Sequence, residues 1–184
     1  MQHFVSGIDL NKIPQDYKSI ILGAGCFWGV ERRFWEDPNI YLTSVGYSGG
    51  HIDNPTYKQV CYEDTGHVEV VKVIFDPQLI SLEEILKIFW ECHDPSQGDR
   101  QGNDRGTQYR SVIFCENEKD LNLANQSQKK YQEVLSKAGF GEITTEIKIF
   151  NTYFLAEDYH QQYLAKNPNG YCGLGGTGCA FPNN

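Results

Sequence analysis

A chain of 184 residues with 40% hydrophobic and 22% charged side chains is long enough for one domain with a real core, and has the balance of a soluble globular protein. Its net charge of −8 argues against a nucleic-acid binder, which would carry a basic stripe, and against attraction to anionic membrane surfaces; no apolar stretch reaches membrane-span length. The start, MQHFVSGIDLNKIPQDYK, has neither a basic head with a long apolar run nor a cleavage-like site, so the expected compartment is the cytosol.

In chain order, Ile20 to Gly23 reads as a short buried strand and Cys26 to Glu36 as a helix with Phe27, Val30 and Phe34 on one face. Ile40 to Tyr47 is a second strand, closed by Ser48-Gly49-Gly50. Asn54 as cap and Pro55 in the first helical position start a short helix through Val60. His67 to Phe75 is apolar on both faces, as in the middle of a sheet. Ser81 and Glu84 form a capping box for a helix to about His93 that buries Leu82, Ile85, Leu86 and Phe89.

Asp94 to Gln108 (DPSQGDRQGNDRGTQ) then runs for fifteen residues without a large apolar side chain, a length of loop that is usually functional or disordered. Tyr109 to Cys115 returns to strand, and Asn117 to Ala138 is a polar helix stopped by Gly139. Ile143 to Phe150 alternates as a half-buried strand, and Ala156 to Lys166 is a helix with a Tyr159/Tyr163 stripe. From Asn167 the chain is mostly Gly, Asn and Pro and is expected to be irregular and mobile. The mixture suits an α+β two-layer sandwich with a split βαβ core in a single domain over 1–184, with an N-terminal extension (1–18) and a glycine-rich tail (167–184).

Six cysteines stand at 26, 61, 92, 115, 172 and 179. The density is too low for a disulfide-stapled scaffold, and no C-x-x-C pair suggests a metal site. Cys26 lies at a strand-to-helix turn, where free backbone N–H groups and the helix dipole favour an anion and should lower the thiol pKa. A buried packing cysteine fits that placement equally well. Glu69 falls on the strand face of His67, Val71, Val73 and Phe75; among such neighbours a carboxyl is held protonated and becomes a general acid, unless it is a salt-bridged strand-end residue. His67-x-Glu69 also matches part of the zinc-deaminase signature, but the partner P-C-x-x-C is absent.

Tyr57 and Tyr109 lie beside loops, where a phenol can donate to a developing oxyanion or simply pack. Cys172 and Cys179 sit in a tail with few core-forming residues. Such a tail can deliver a thiol to Cys26 and close its own disulfide, since seven extended residues reach roughly 25 Å and a flexible chain can fold back to the separation of about 6 Å that a bridge needs. Cys61, Cys92 and Cys115 read as structural. The only methionine is Met1, a weak hint of oxidant exposure.

These features together resemble peptide methionine sulfoxide reductase of the A type. The motifs that carry the resemblance are GCFWGVE at 25–31, GYSGG at 46–50, NPTYKQVC at 54–61, GHVEVV at 66–71, HDP at 93–95, GNDRGTQYRS at 102–111, AEDYHQQYL at 156–164 and NPNGYCG at 167–173. The resemblance implies a ferredoxin-like core and reduction of the S-epimer of methionine sulfoxide, free or in proteins, without metal or organic cofactor. It implies Cys26 as nucleophile and Glu69, Tyr57 and Tyr109 as the groups that hold and protonate the sulfoxide oxygen, supported by Asp104. Phe27 and Trp28 would form the methyl pocket, Cys172 would resolve a Cys26 sulfenic acid, Cys179 would take over the disulfide, and thioredoxin would restore the enzyme. Two rivals remain on the residues alone: a cysteine peroxidase, and a redox sensor whose tail disulfide switches partner binding.

Overall fold

The computed structural model describes residues 1–150 and 152–182. Strands β1 (Lys18–Ala24), β2 (Ile40–Ser48), β3 (Val68–Phe75), β6 (Ser111–Cys115), β7 (Glu146–Ile149) and β8 (Tyr153–Leu155) form one sheet in the order β7-β6-β1-β3-β2-β8, and β4 (Arg100–Gln101) pairs with β5 (Asp104–Arg105) in a small hairpin. All neighbours in the large sheet are antiparallel except β6 and β7. Central β3 is rich in β-branched residues and buried on both faces, which is what a strand without a solvent face requires.

Alternation along β3 divides the interior. Val71, Val73 and Phe75 face the main core with Leu22, Phe27, Phe34, Phe89, Trp90 and Tyr131, under helices α1 (Phe27–Trp35), α3 (Leu82–Cys92) and α4 (Glu118–Lys137). Val68 and Val70 face a smaller cluster with Ile21, Val112 and Phe114 on the opposite side. Glu69 therefore points to the helix-covered face, on the stripe of Val71 and Val73.

The expected capping box of α3 is present, with Ser81 and Glu84 each bonded to the other's backbone N–H. Helix α2 (Tyr57–Tyr62) begins differently from expectation: its cap is Thr56, in a reciprocal box with Gln59, and Asn54 instead takes a left-handed φ of 46°. The Thr56/Gln59 box satisfies two backbone donors, which an Asn54 cap followed by donor-less Pro55 does not. The polar stretch 94–108 contains the β4–β5 hairpin and ends in a 3-10 turn, Thr107–Tyr109, so Tyr109 precedes the strand instead of opening it.

Two further differences lie late in the chain. The strand expected over 143–150 shortens to β7, and β8, which was not expected, adds an edge to β2. The expected helix 156–166 divides into a 3-10 turn (Asp158–His160) and a short helix α5 (Tyr163–Lys166), because Gln161 and Gln162 are drawn elsewhere. Gln161 bonds through its side chain to both the N–H and the C=O of Val45, while left-handed Gln162 donates its backbone and side-chain N–H groups to Glu31. The N-terminal segment is also tied in: buried His3 meets Thr43 at 3.1 Å, and the Phe4 N–H donates to Gln162.

After Lys166 the described chain has no helix or strand, yet it lies against the body. Leu174, Cys179 and Phe181 pack on the main core, the Tyr131 hydroxyl donates to the Cys179 carbonyl, and the Phe181 N–H donates to Glu91 Oε1 at 2.7 Å. These anchors oppose the expectation of a freely mobile tail.

Candidate active site

Strand β1 ends at Ala24, Gly25 turns the chain with φ of +94°, and Cys26 caps α1. A Cβ at Gly25 would stand 2.7 Å from the Cβ of Gln101, so this turn is open only to glycine while the β4–β5 hairpin lies over it. The packing brings Asp104, at the end of that hairpin, into the electrostatic field of Cys26.

Cys26 is largely buried but retains some exposure. Its thiol pKa is raised, against the expectation from the helix dipole. Loss of hydration is the largest cause; the charges of Glu69 and Asp104 add to it, while the N–H groups of Trp28 and Gly29 act the other way. The local helix effect is real, and the tertiary environment outweighs it.

Glu69 is 1% exposed, and its Oε2 accepts the Phe27 N–H at 3.1 Å. Burial pushes its pKa up to about 8 against the pull of that hydrogen bond, with Asp104 adding a smaller upward push. The carboxyl is therefore mostly protonated at neutral pH, able to give a proton rather than to accept one.

Tyr57 and Tyr109 both lie within reach of the Glu69 charge, and both phenols are raised first by burial and then by Glu69. Tyr109 also interacts with Cys26 and Asp104. Asp104, itself raised by burial, accepts a hydrogen bond from the Tyr171 hydroxyl at 3.2 Å, which links the hairpin to the tail next to Cys172. Cys61, read from sequence as structural, interacts with the Tyr57 side chain and with Glu69, and so belongs to the same locality.

Of the two aromatics that follow Cys26, Phe27 is fully buried against Tyr47 and His160, with ring centroids 6.0 and 5.0 Å away. Trp28 is half-buried and stacks on Tyr163 at 3.9 Å, so of the pair it is Trp28 that retains solvent access for a ligand. Its indole N–H donates to His160 Nδ1 at 3.0 Å. Indole is only a donor, so Nδ1 is the bare nitrogen and the proton of His160 sits on Nε2. That nitrogen is buried without a hydrogen-bond partner among the described residues, and burial holds the imidazole pKa near 4, hence neutral.

Glu157 ties this corner together. It accepts the Tyr47 hydroxyl at 2.7 Å on one oxygen and the Tyr57 N–H at 2.9 Å on the other. Burial raises its pKa, but the bonds from Tyr57 and Tyr47 outweigh it and the net shift is downward. Glu157, His160 and Tyr163 were given no role by sequence reasoning. Their signal lies in the AEDYHQQYL stretch, whose charged, aromatic and amide residues form a bracket on Trp28 and Tyr57 instead of a helical stripe.

The tail cysteines occupy different places. Cys172 Sγ lies over α1, 3.0 Å from where a Cβ on Gly29 would stand. Cys179 rests at the α3–α4 side near Tyr131. All six cysteines are free thiols. Among the described residues no group of three His, Cys, Asp or Glu side chains could hold a metal ion, and no helix is long and apolar enough to cross a membrane. A cavity of about 240 Å³ between the start of α3 and α4, walled by Lys87, Leu123 and Phe181 among others, contains no cysteine and lies apart from this chemistry.

Residues 18–177 match the family model described as peptide methionine sulfoxide reductase. The mitochondrial peptide methionine sulfoxide reductase of Homo sapiens is 55% identical over 182 residues, covering 98% of this chain and 77% of the relative. The solved structure of methionine sulfoxide reductase A of Corynebacterium diphtheriae superposes with a TM-score of 0.88 at 42% identity, covering 98% of this chain and 89% of that one. Saccharomyces cerevisiae Mxr1, solved in complex with Trx2, superposes with a TM-score of 0.58 at 25% identity, covering 84% of this chain and 91% of that one. With the family model spanning most of its length and relatives this similar end to end, the chain belongs to the peptide methionine sulfoxide reductase family.

Proposed function

We propose that this reductase acts on the S-epimer of methionine sulfoxide, free or in proteins, through a Cys26 sulfenic acid that the tail cysteines resolve. The observation that carries the reading is the buried Glu69 carboxyl, protonated at neutral pH and bonded to the first N–H of the helix that Cys26 caps. A sulfoxide has a positive sulfur and a negative oxygen. The oxygen takes the Glu69 proton, with the Tyr57 and Tyr109 hydroxyls donating to it, and the sulfur is then open to the Cys26 thiolate. While Glu69 is neutral its charge does not oppose ionisation of Cys26, and the proton that Cys26 gives up replaces the one that Glu69 passes to the oxygen. The oxygen passes to the Cys26 sulfur, and methionine leaves.

Cys172 then condenses with the sulfenic acid, forming a disulfide and releasing water. Cys179 attacks Cys172, moves the disulfide into the tail and frees Cys26. Thioredoxin is the proposed reductant, supported by the similarity to Mxr1, which was solved with Trx2. Trp28, backed by Tyr163 and His160, is the accessible part of the proposed methyl pocket, with Phe27 behind it. Asp104 supports the donor cluster from the hairpin, and no metal or organic cofactor takes part.

The same reading makes the chain one catalytic unit. The order β6-β1-β3-β2, with α1 joining β1 to β2 and α3 lying between β3 and β6, supports a ferredoxin-like split βαβ core that carries the irregular tail. The test is an assay on separated sulfoxide epimers with thioredoxin, identifying the paired cysteines by mass spectrometry. Turnover of the S-epimer alone, lost in Cys26→Ser, is the expected result. Full activity in Cys26→Ser, or equal use of both epimers, would overturn it.

A further inference from the structure

Helix α1 presents three positions at a spacing of three: Cys26 at its cap, Gly29, and Arg32. That spacing places them along one side of the helix. Cys172 Sγ lies over the middle of the three, against Gly29, and Leu174 packs on the same glycine. Arg32 Nη2 donates to that sulfur at 3.3 Å. The other end of the Arg32 fork faces Glu36, with Nε 4.0 Å from Oε1 on a half-exposed surface. The resolving sulfur is thus bracketed by the nucleophile one turn before Gly29 and by a guanidinium one turn after it.

A neutral thiol is a weak acceptor, so a guanidinium gains little from it until the sulfur carries charge. The Arg32 guanidinium is a planar fork of N–H donors with no acceptor of its own.

We propose that Arg32 is the positioning residue of the resolving step: it holds the Cys172 sulfur over Gly29, facing Cys26, and stabilises the negative charge on that sulfur as it attacks the sulfenic acid. The assignment rests on the reading of Cys172 as the resolving cysteine. In the step, Cys172 gives up its proton, its sulfur bonds to the Cys26 sulfur, and the S–O bond of the sulfenic acid breaks. The oxygen leaves as water with that proton. Cys172 is oxidised and the sulfenic sulfur is reduced to the disulfide level.

The experiment is a rapid-quench single turnover with methionine sulfoxide and no reductant. Methionine, sulfenic acid (captured by a dione probe) and the Cys26–Cys172 disulfide are followed separately. Arg32→Gln should still release its one methionine, but its sulfenic acid should persist and its disulfide should form roughly tenfold more slowly, the effect of losing one charge-assisted hydrogen bond. Arg32→Lys should recover most of the rate, and guanidinium ion added to Arg32→Ala part of it; a merely structural role predicts neither. A wild-type disulfide rate in Arg32→Gln, or a Lys variant as slow as Gln, would overturn the assignment. Cys172→Ser run in parallel separates the layers. If it fails to block the disulfide to Cys26, the resolving reading falls and Arg32 with it. If it blocks that disulfide while Arg32→Gln is as fast as wild type, only Arg32 falls.

Discussion

Glu69 Oε2 accepts the backbone N–H of Phe27 at 3.1 Å, joining the start of the central strand to the first residue of the helix that Cys26 caps. One bond thus sets the distance between the proposed proton source and the proposed nucleophile. It also accounts for opposed forces at one carboxyl: burial raises its pKa to about 8, and the Phe27 N–H restrains the rise.

Glu69→Gln keeps the shape and an acceptor for Phe27 while removing the proton. The sulfenic-acid-forming step should slow by about a hundredfold or more, the usual contribution of a positioned general acid. The same variant should lower the pH at which Cys26 is alkylated, because the Glu69 charge is the second largest cause of its raised pKa. Burial, the largest cause, remains, so titration should stay above the ordinary cysteine value. Stopped-flow single turnovers and iodoacetamide rates against pH check the two effects. An unchanged first step would remove Glu69 from the acid role.

The same carboxyl should make stability depend on pH. Its pKa is about 8 in the folded chain against an ordinary glutamate value of 4.5, so between these values the unfolded chain loses the proton and the folded chain keeps it. The native state then binds more protons, and stability falls as pH rises through this window. Relative to wild type, Glu69→Gln should gain thermal stability progressively between those two pH values and no further above the upper one. Glu31, buried and held near 7 under its bonds from Gln162 and Thr43, contributes a wild-type slope of the same sign that is common to both proteins and cancels in the difference. Melting temperatures of the two proteins across the window test this; a constant difference would contradict it.

Much of this fold is legible in local pattern. The alternation of VEVVKVIF gives a central strand and assigns Glu69 to the face of Val71 and Val73, and Ser81 with Glu84 marks the start of α3. The cap of α2 is misread locally, since Thr56 has its partner Gln59 three residues on, but the larger misreadings have partners distant in sequence. Gln161 bonds to Val45 and Gln162 to Glu31, and these contacts break a segment whose spacing reads as one helix. Strand β8 exists because Ser48, Tyr47 and Gly46 offer it an edge. The Cys26 thiol shows the same division: the helix start is local and visible, whereas the desolvation and the Glu69 and Asp104 charges that outweigh it arise only when β3 and the β4–β5 hairpin close around the turn.

The tail anchor gives a prediction about exchange. Phe181 stacks on Tyr131 with centroids 5.9 Å apart and donates its N–H to Glu91, and the neighbouring Cys179 carbonyl accepts the Tyr131 hydroxyl. Cys179 is thereby parked at α3–α4 while Cys172 lies on α1, and a disulfide between them needs their Cα atoms within about 4.4–6.8 Å. Phe181→Ala should loosen the parking site, reduce hydrogen-exchange protection around Cys179 and speed transfer of the disulfide from Cys26–Cys172 to Cys172–Cys179. Quenched mass mapping of the pairs over time measures the transfer, and a slower or unchanged rate would show that the anchor does not restrain it.

Gly29 sets two physical effects against each other. In a helix interior alanine is favoured over glycine by about 1 kcal/mol, so Gly29→Ala should strengthen α1 taken alone. The new Cβ, however, would stand 3.0 Å from both Cys172 Sγ and Leu174 Cβ, closer than such contacts normally lie, and the tail must give way. The tail here has no helix or strand and is held by the packing of Leu174 and by the Arg32–Cys172 and Tyr171–Asp104 hydrogen bonds, so it moves more cheaply than the helix. The expected result is therefore a separation of readouts: a melting temperature equal to or above that of wild type, together with slower formation of the Cys26–Cys172 disulfide after a normal methionine burst. Loss of the burst itself would mean that the added methyl disturbs Cys26 rather than the tail. An unaltered disulfide rate would mean that Cys172 does not act from its seat over Gly29.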